Sequence, residues 1–312
     1  MSELVLLGPQ RFRPTLLPTL RSLDIEGPVA VVTAGWQERE EEIDALRKHV
    51  RSETIHLRLY QRAEKLLQRD TELADALRER QDRLRNQQEL YRLRLDHALE
   101  AVRRLMERHD GGALLVEHRR AAIRVLKTLD RQNLVRIRAI HRAFDEQWQP
   151  AARPETQRHV EELREQLRPS KVLAIAGGHV AVLLNRLRLF DLPSMIGRRP
   201  VIAWSAGAMA LGERVLLFHD HPPQGAGNPE IFESGFELHR KLVPLPLARQ
   251  RLRLEDPLRV AVLARRMHPA VCVPLDDGDR IDWNGSAWRP APGTRRLSLR
   301  GNVRRFGAGK SR

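Results

Sequence analysis

Apolar residues along this chain fall into two textures. Four short runs have almost no polar interruption: Leu4 to Leu7, Pro28 to Ala34, Lys171 to Ala176 and Val201 to Trp204. Runs of this length read as strands buried on both faces. Between them the spacing turns helical. Thr15 to Leu23 predicts one helix, and Glu38 to Val50 a second, with Ile43, Leu46 and Val50 on one face. Thr54 to Tyr60 alternates Ile55, Leu57 and Leu59 against His56 and Arg58, which predicts a further strand. A helix through Leu183, Leu184 and Leu187 follows the Lys171 strand, and Leu263 to Gly278 reads as a late helix and strand. Strands alternating with helices imply an α/β fold, a parallel sheet with helices on both faces and right-handed crossovers.

One stretch interrupts that rhythm. From about Gln61 to Arg168 the chain is charged, rich in Leu and Arg, and nearly free of glycine and proline. Leu77, Leu84, Tyr91, Ala98 and Leu105 recur at sevens, one side of a helical seam, although Arg80, Gln87 and Arg94 keep it from being a leucine zipper. A glycine pair at Gly111-Gly112 predicts the end of one long helix. A second helix, Leu114 to about Trp148, places Ile123, Leu126, Val135, Ile137 and Ile140 inward, and Thr156 to Leu167 a third. The division that follows is an α/β domain from 1–60 and 169–288, an inserted helical subdomain at 61–168, and a basic tail at 289–312. The insertion is expected to cap the sheet's carboxyl edge, to build a homodimer interface, to grip a basic-patch partner, or to pack its own helices only.

Composition narrows the class. At 312 residues and 41% hydrophobic content the chain can bury a substantial core, and no apolar run approaches the ~20 residues of a membrane helix. Met1 to Pro28 has no secretory signal pattern, so the expected location is cytoplasmic, with no membrane partner. Cys272 is the single cysteine, which excludes an internal disulfide and a cysteine-clustered zinc site; in the run Ala270 to Val273 it reads as a buried small hydrophobe. The formal net charge is +15. Arginine is used throughout, often beside glutamate. From Arg289 onward, however, eight basic residues occur with no acidic one. Gly301, Gly307 and Gly309 suggest a flexible end, either solvated or a phosphate-binding arm for nucleic acid.

The chemistry concentrates where two strand runs end. Trp204 leads into Ser205-Ala206-Gly207-Ala208, a lone serine followed by small residues. That is the composition of a nucleophile elbow, a sharp strand-to-helix turn that exposes a serine oxygen at the sheet's carboxyl edge. A tight buried turn with a locally bonded hydroxyl is the alternative. The Lys171 strand ends in Gly177-Gly178-His179, and glycines there let backbone amides approach a ligand. Two such strand ends could supply a nucleophile and part of an oxyanion hole.

Ala176-Gly177-Gly178-His179, Trp204-Ser205-Ala206-Gly207-Ala208 and His219-Asp220-His221-Pro222 together resemble the dipeptidase E and cyanophycinase group of serine peptidases. The resemblance covers roughly residues 1–60 and 165–285. It implies the class I glutamine amidotransferase-like fold with a flavodoxin-like sheet, and hydrolysis of a short peptide or amide without cofactor or metal. It also implies Ser205 as nucleophile, the amides of Gly177, Gly178 and Ala206 as oxyanion hole, and Asp220 as the residue that orients a histidine. The chain departs from the family at that histidine. In Leu242 to Ala248 the proline position is Pro246, and Leu247 then falls where the imidazole belongs. A leucine cannot accept the serine's proton. His239 and His221 are the candidate replacements, although neighbours on a strand point to opposite faces, which sets His221 awkwardly beside Asp220. The other reading is a relative without turnover that binds a ligand or acts as a scaffold through the insertion and tail.

Overall fold

The computed structural model describes residues 3–218 and 228–306. The chain starts with β1 (Leu4–Leu7), α1 (Leu16–Ser22) and β2 (Val29–Val32), then a 3-10 turn at Ala34–Arg39, α2 (Asp44–Val50) and β3 (Thr54–His56). Four helices follow: α3 (Leu59–Arg69), α4 (Thr71–Glu107), α5 (Gly112–Trp148) and α6 (Pro154–Leu167). The chain then returns through β4 (Val172–Ile175), α7 (Val180–Leu189), α8 (Leu192–Met195), β5 (Val201–Trp204) and α9 (Ala206–Ala210). Next come β6 (Arg214–Leu217), β7 (Glu230–Ser234), β8 (Leu242–Pro246), α10 (Ala248–Arg251), α11 (Pro257–Met267) and β9 (Val271–Leu275). The last elements are β10 (Arg280–Trp283), β11 (Trp288–Pro290), β12 (Arg295–Leu297) and β13 (Val303–Arg305).

A seven-stranded sheet in the order β11-β10-β1-β5-β4-β2-β3 forms the centre. Its five-strand run from β1 to β3 is parallel, and β10 joins β1 antiparallel at one edge. Every residue of β1, β2, β4 and β5 is buried, which is why these runs lack polar positions. Successive side chains alternate between two cores. Val5, Leu7, Val31, Ala174, Ile202 and Trp204 lie under α1 and α2. Leu4, Leu6, Val32, Ile175 and Ala203 face a larger core that continues into the inserted helices. Helices on both faces of a parallel sheet are the α/β architecture the apolar runs imply.

Three boundaries differ from expectation. The helix expected over Glu38 to Val50 begins only at Asp44, after a 3-10 turn that ends at Arg39. The strand expected over Thr54 to Tyr60 stops at His56, and Leu59 and Tyr60 open α3. The buried carboxylate of Glu40 accepts the Tyr60 and Gln61 amides at 3.0 and 2.9 Å, so it satisfies the start of that helix from a distance in sequence. The chain after Arg289 is expected to be flexible, yet its described part forms β11 and the β12–β13 hairpin, with Leu297 buried and β12 packed along β9. Cys272 is buried in β9, where burial pushes its thiol up to about 12.

The 37-residue helices α4 and α5 pair as a hairpin about 55 Å long. Leu84, Tyr91, Ile123, Leu126 and Ile137 are buried in it, whereas Val135, expected inward, is 57% exposed. The hairpin lies on the larger-core side of the sheet and is clasped by later parts of the chain. Arg266 of α11 sends Nε and a terminal nitrogen to the two oxygens of Asp130, both at 2.7 Å, and a third bond to the Tyr91 hydroxyl at 2.8 Å. Tyr91 in turn donates to Asp130 at 2.7 Å. Arg92 pairs with Glu230, and Asn133 donates to the Ile231 carbonyl.

Because Arg266 and Asp130 have side chains 1% and 3% exposed, removing one partner strands the other charge in the core. Asp130→Asn is expected to lower stability by about 3–5 kcal/mol, read as a lower midpoint in urea unfolding.

Candidate active site at the carboxyl edge of the sheet

The ends of β1, β2, β4 and β5 open into one crevice of about 730 Å3. Pro9, Gln10 and Arg11 border it from β1, Gly35 and Trp36 from β2, Gly177 and Gly178 from β4, and Trp204 and Ser205 from β5. Leu16, Ala45, Leu46 and His49 of α1 and α2 close the far wall. This is where an open parallel sheet leaves room for ligands. None of the lining residues comes from α3 to α6.

Ser205 sits between β5 and α9 with φ 51° and ψ −122°, a backbone conformation that costs a non-glycine residue on the order of 1–3 kcal/mol. Its neighbours permit the turn. A Cβ added to Gly207 would lie 2.4 Å from the Ile175 carbonyl oxygen, so only glycine lets α9 start this close to β4. A Cβ on Gly177 would lie 2.6 Å from the Ser205 Cβ and 3.3 Å from both its Oγ and the Ala206 nitrogen. The glycine turn and the serine are therefore in contact. Gly178 has φ +109°, and a Cβ there would meet the Gly35 oxygen at 2.2 Å. The His179 amide donates to that same Gly35 oxygen at 2.7 Å, tying the end of β2 to the end of β4. Among the described residues, the amides of Gly177, Gly178 and Ala206 donate to no backbone carbonyl outside the helices and strands. Gly177 is buried and Gly178 exposed.

The structure does not bring His239 to this crevice. The ring lies against the other end of α9: a Cβ on Gly212 would be 3.2 Å from its Cε1 and 3.4 Å from its Nε2. Gly212 lies two positions past the last residue of α9, and Ser205 immediately before its first. His239 is 2% exposed, its two ring nitrogens have no hydrogen-bond partner, and it packs edge-on to Trp288 with ring centres 5.0 Å apart. Burial pulls its pKa down to about 4, the Ala208 backbone acting weakly the other way. Asp220 and His221 lie outside the described residues. Leu247 stands at the β8–α10 corner with φ 54° and ψ 36°, its amide donating to the Leu275 carbonyl.

Several crevice residues carry no signal in the sequence. Gln10 shapes the rim by accepting the Thr15 and Leu16 amides on Oε1 and donating Nε2 to the Gly8 carbonyl. His49 brings an imidazole to the wall, but its Nε2 accepts the Leu17 amide at 3.2 Å. In that neutral tautomer Nδ1 carries the proton and offers a donor, not a base. Burial and Arg51 lower its pKa, which favours the neutral ring. Gly35 was findable, since Ala34-Gly35 follows a buried strand as Ala176-Gly177 does. The described residues contain no group of three or more metal-ligating side chains, and no helix among them is long and apolar enough to cross a membrane.

No protein-family model and no curated protein sequence matches the chain. Among solved structures it is similar to a peptidase from an acI-B1 Actinobacterium, at 12% identity and a TM-score of 0.46, over 98% of this chain and 97% of that one. It is also similar to a candidate peptidase E from Listeria monocytogenes EGD-e, at 12% identity and a TM-score of 0.40, over 96% of this chain and 100% of that one.

The buried His239 makes a pH prediction. Its folded pKa of about 4 lies below the ordinary value of 6.5, so the unfolded chain binds the proton more readily. Its contribution is full above pH 6.5 and is lost as the pH falls towards 4. His239→Phe is expected to flatten the loss of stability across that window, measured by urea unfolding at several pH values. An unchanged pH dependence would show that the ring titrates normally.

Proposed function

We propose that this protein is a serine hydrolase of the peptidase E type, acting on a short peptide or related amide through Ser205. One observation carries the reading: a non-glycine residue held at φ 51° and ψ −122°, on the rim of a crevice, against a glycine turn. Strain of this kind persists where surrounding packing enforces it, and it aims the hydroxyl outward instead of into the fold. In this reading Ser205 Oγ attacks the carbonyl carbon, and the amides of Gly178 and Ala206 receive the oxyanion, with Gly177 providing the close approach. A neutral imidazole takes the serine's proton and returns it to the leaving amine. The base in this reading is His221; His239 is too deeply packed, and His49 has its accepting nitrogen occupied. The walls formed by Leu16, Trp36, Leu46 and Trp204 suit a substrate with an apolar side chain. The chemistry needs no cofactor.

One observation favours a second reading, a ligand-binding relative without turnover: Leu247 is hydrocarbon at the position where the resemblance requires an imidazole.

A fluorophosphonate probe separates the two. The wild-type protein is expected to be labelled and Ser205→Ala not, with the adduct mapped to Ser205 by mass spectrometry. His221→Ala is expected to slow labelling by roughly a thousandfold or more, while His239→Phe leaves the rate within a few-fold. No labelling of wild type supports the relative without turnover. Equal labelling of His221→Ala removes that residue from the site.

A further inference from the structure

The charge of +15 is not spread evenly. On α4, most exposed arginines are neutralised along the helix: Arg78 pairs with Asp75, Arg85 with Asp82, and Arg103 with Glu100 and Glu107, while Arg83 and Arg94 stand apart without a carboxylate among the described residues. On α5 the pattern is different. Arg120, Arg124, Lys127 and Arg131 follow at intervals of four, three and four, which sets them in one row about 17 Å long. Glu117, at the head of that row, makes no ion pair with them, and none of the four is paired with a carboxylate among the described residues. Lys127 instead donates to the His268 carbonyl at the end of α11, at 2.7 Å.

The β12–β13 hairpin carries a second unneutralised group. Its register sets Arg296 directly opposite Arg304, and Arg295 opposite Arg305. Like charges at facing positions repel, so each pair weakens the ribbon unless an anion lies between them. Arg295 feels the carboxylates of Asp276 and Asp279. Arg296 and Arg304 have no carboxylate partner among the described residues, and Arg296 lies over the Phe306 ring with its guanidinium 5.7 Å from the centroid. The fold joins the two groups. Arg265, in the last turn of α11, donates to the Leu299 carbonyl in the hairpin turn at 2.9 Å, and His268, three residues on, holds Lys127. Rows more than 160 residues apart in sequence thus flank one helix end.

We propose that the α5 row and the β12–β13 hairpin form one docking surface for the phosphate backbone of a nucleic acid duplex, bound without regard to sequence. Guanidinium forks match phosphate oxygens in pairs, and arginine supplies seven of the eight cations named in the two groups. Phe306 is covered by Arg296 and packs against the core, so it offers no platform for an unpaired base. Exposed apolar residues near the row, such as Val125 and Leu299, are scattered and form no surface to enter lipid. The surface lies on elements that contribute nothing to the crevice lining, so the proposal stands whatever the serine does.

The test is fluorescence polarisation of the full chain with a labelled DNA duplex of roughly 20 base pairs, about two helical turns, between about 50 and 200 mM salt. Two double variants remove the groups separately: Arg124→Gln with Arg131→Gln, and Arg296→Gln with Arg304→Gln. The charge-matched control is Arg78→Gln with Arg85→Gln. Each surface double variant is expected to reduce the slope of log K against log salt by about 2 and to weaken binding about tenfold or more, with the control close to wild type. Equal losses in the control would reduce the effect to net charge and overturn the proposal. So would the absence of duplex binding at low salt, or tighter binding to phosphatidylcholine vesicles carrying phosphatidylserine than to the duplex. Unfolding midpoints guard against misfolded variants, and each double variant tests its own half independently.

Discussion

At the carboxyl edge of the sheet, three backbone segments approach more closely than side chains would allow. Gly177 touches Ser205, Gly178 lies against Gly35, and Gly207 sits under the carbonyl of Ile175. Each contact is shorter than a Cβ could tolerate, so the ends of β2, β4 and β5 can meet only as glycine against backbone. The strained turn at Ser205 depends on this packing. So does the crevice, because these turns form its floor, while α1 and α2 form its far wall. Catalytic geometry in this reading is a consequence of how closely neighbouring parallel strands end, and not of any single reactive side chain.

The helical insertion is held by a different kind of force. Its hairpin buries Leu84, Tyr91, Leu126 and Ile137 on the larger-core side of the sheet, and Arg266, Asp130 and Tyr91 fasten it in a dry site. Such a network adds little net stability compared with hydrocarbon, but it is costly to break. Its position sets two surfaces apart in space. The crevice opens beside α1 and α2, while α5 turns its basic row outward, near the hairpin of β12 and β13.

The histidines show how environment divides one residue type. His239 is a core ring held neutral by burial, edge-on to a tryptophan. His49 is a donor on the crevice wall because a backbone amide occupies its lone pair. His179 caps α7 by accepting the Val182 amide on Nδ1. Chemical identity alone assigns all three the same capacity as a base, and only their partners set them apart.

The α/β class was readable because parallel strands need burial on both faces, which leaves continuous apolar runs in the sequence. The tight turn at Ser205 was readable for a similar reason: Ser205 and the glycines at 177, 178 and 207 are local requirements of the backbone. Where partners come from distant segments, the sequence is silent. Leu57 and Leu59 alternate like a strand, yet Glu40 terminates the sheet there by capping α3. Val135 has helical spacing and faces solvent, and nothing local in the sequence marks Arg266 for burial. The basic residues after Arg289 read as a loose arm, because cross-strand register and the packing of β12 on β9 are invisible in a list of arginines. Backbone sterics and periodicity are written locally, and a chain can be read for them one segment at a time. Charge neutralisation, burial of polar groups and the meeting of remote rows depend on which segments the fold brings together, and only the tertiary structure decided those.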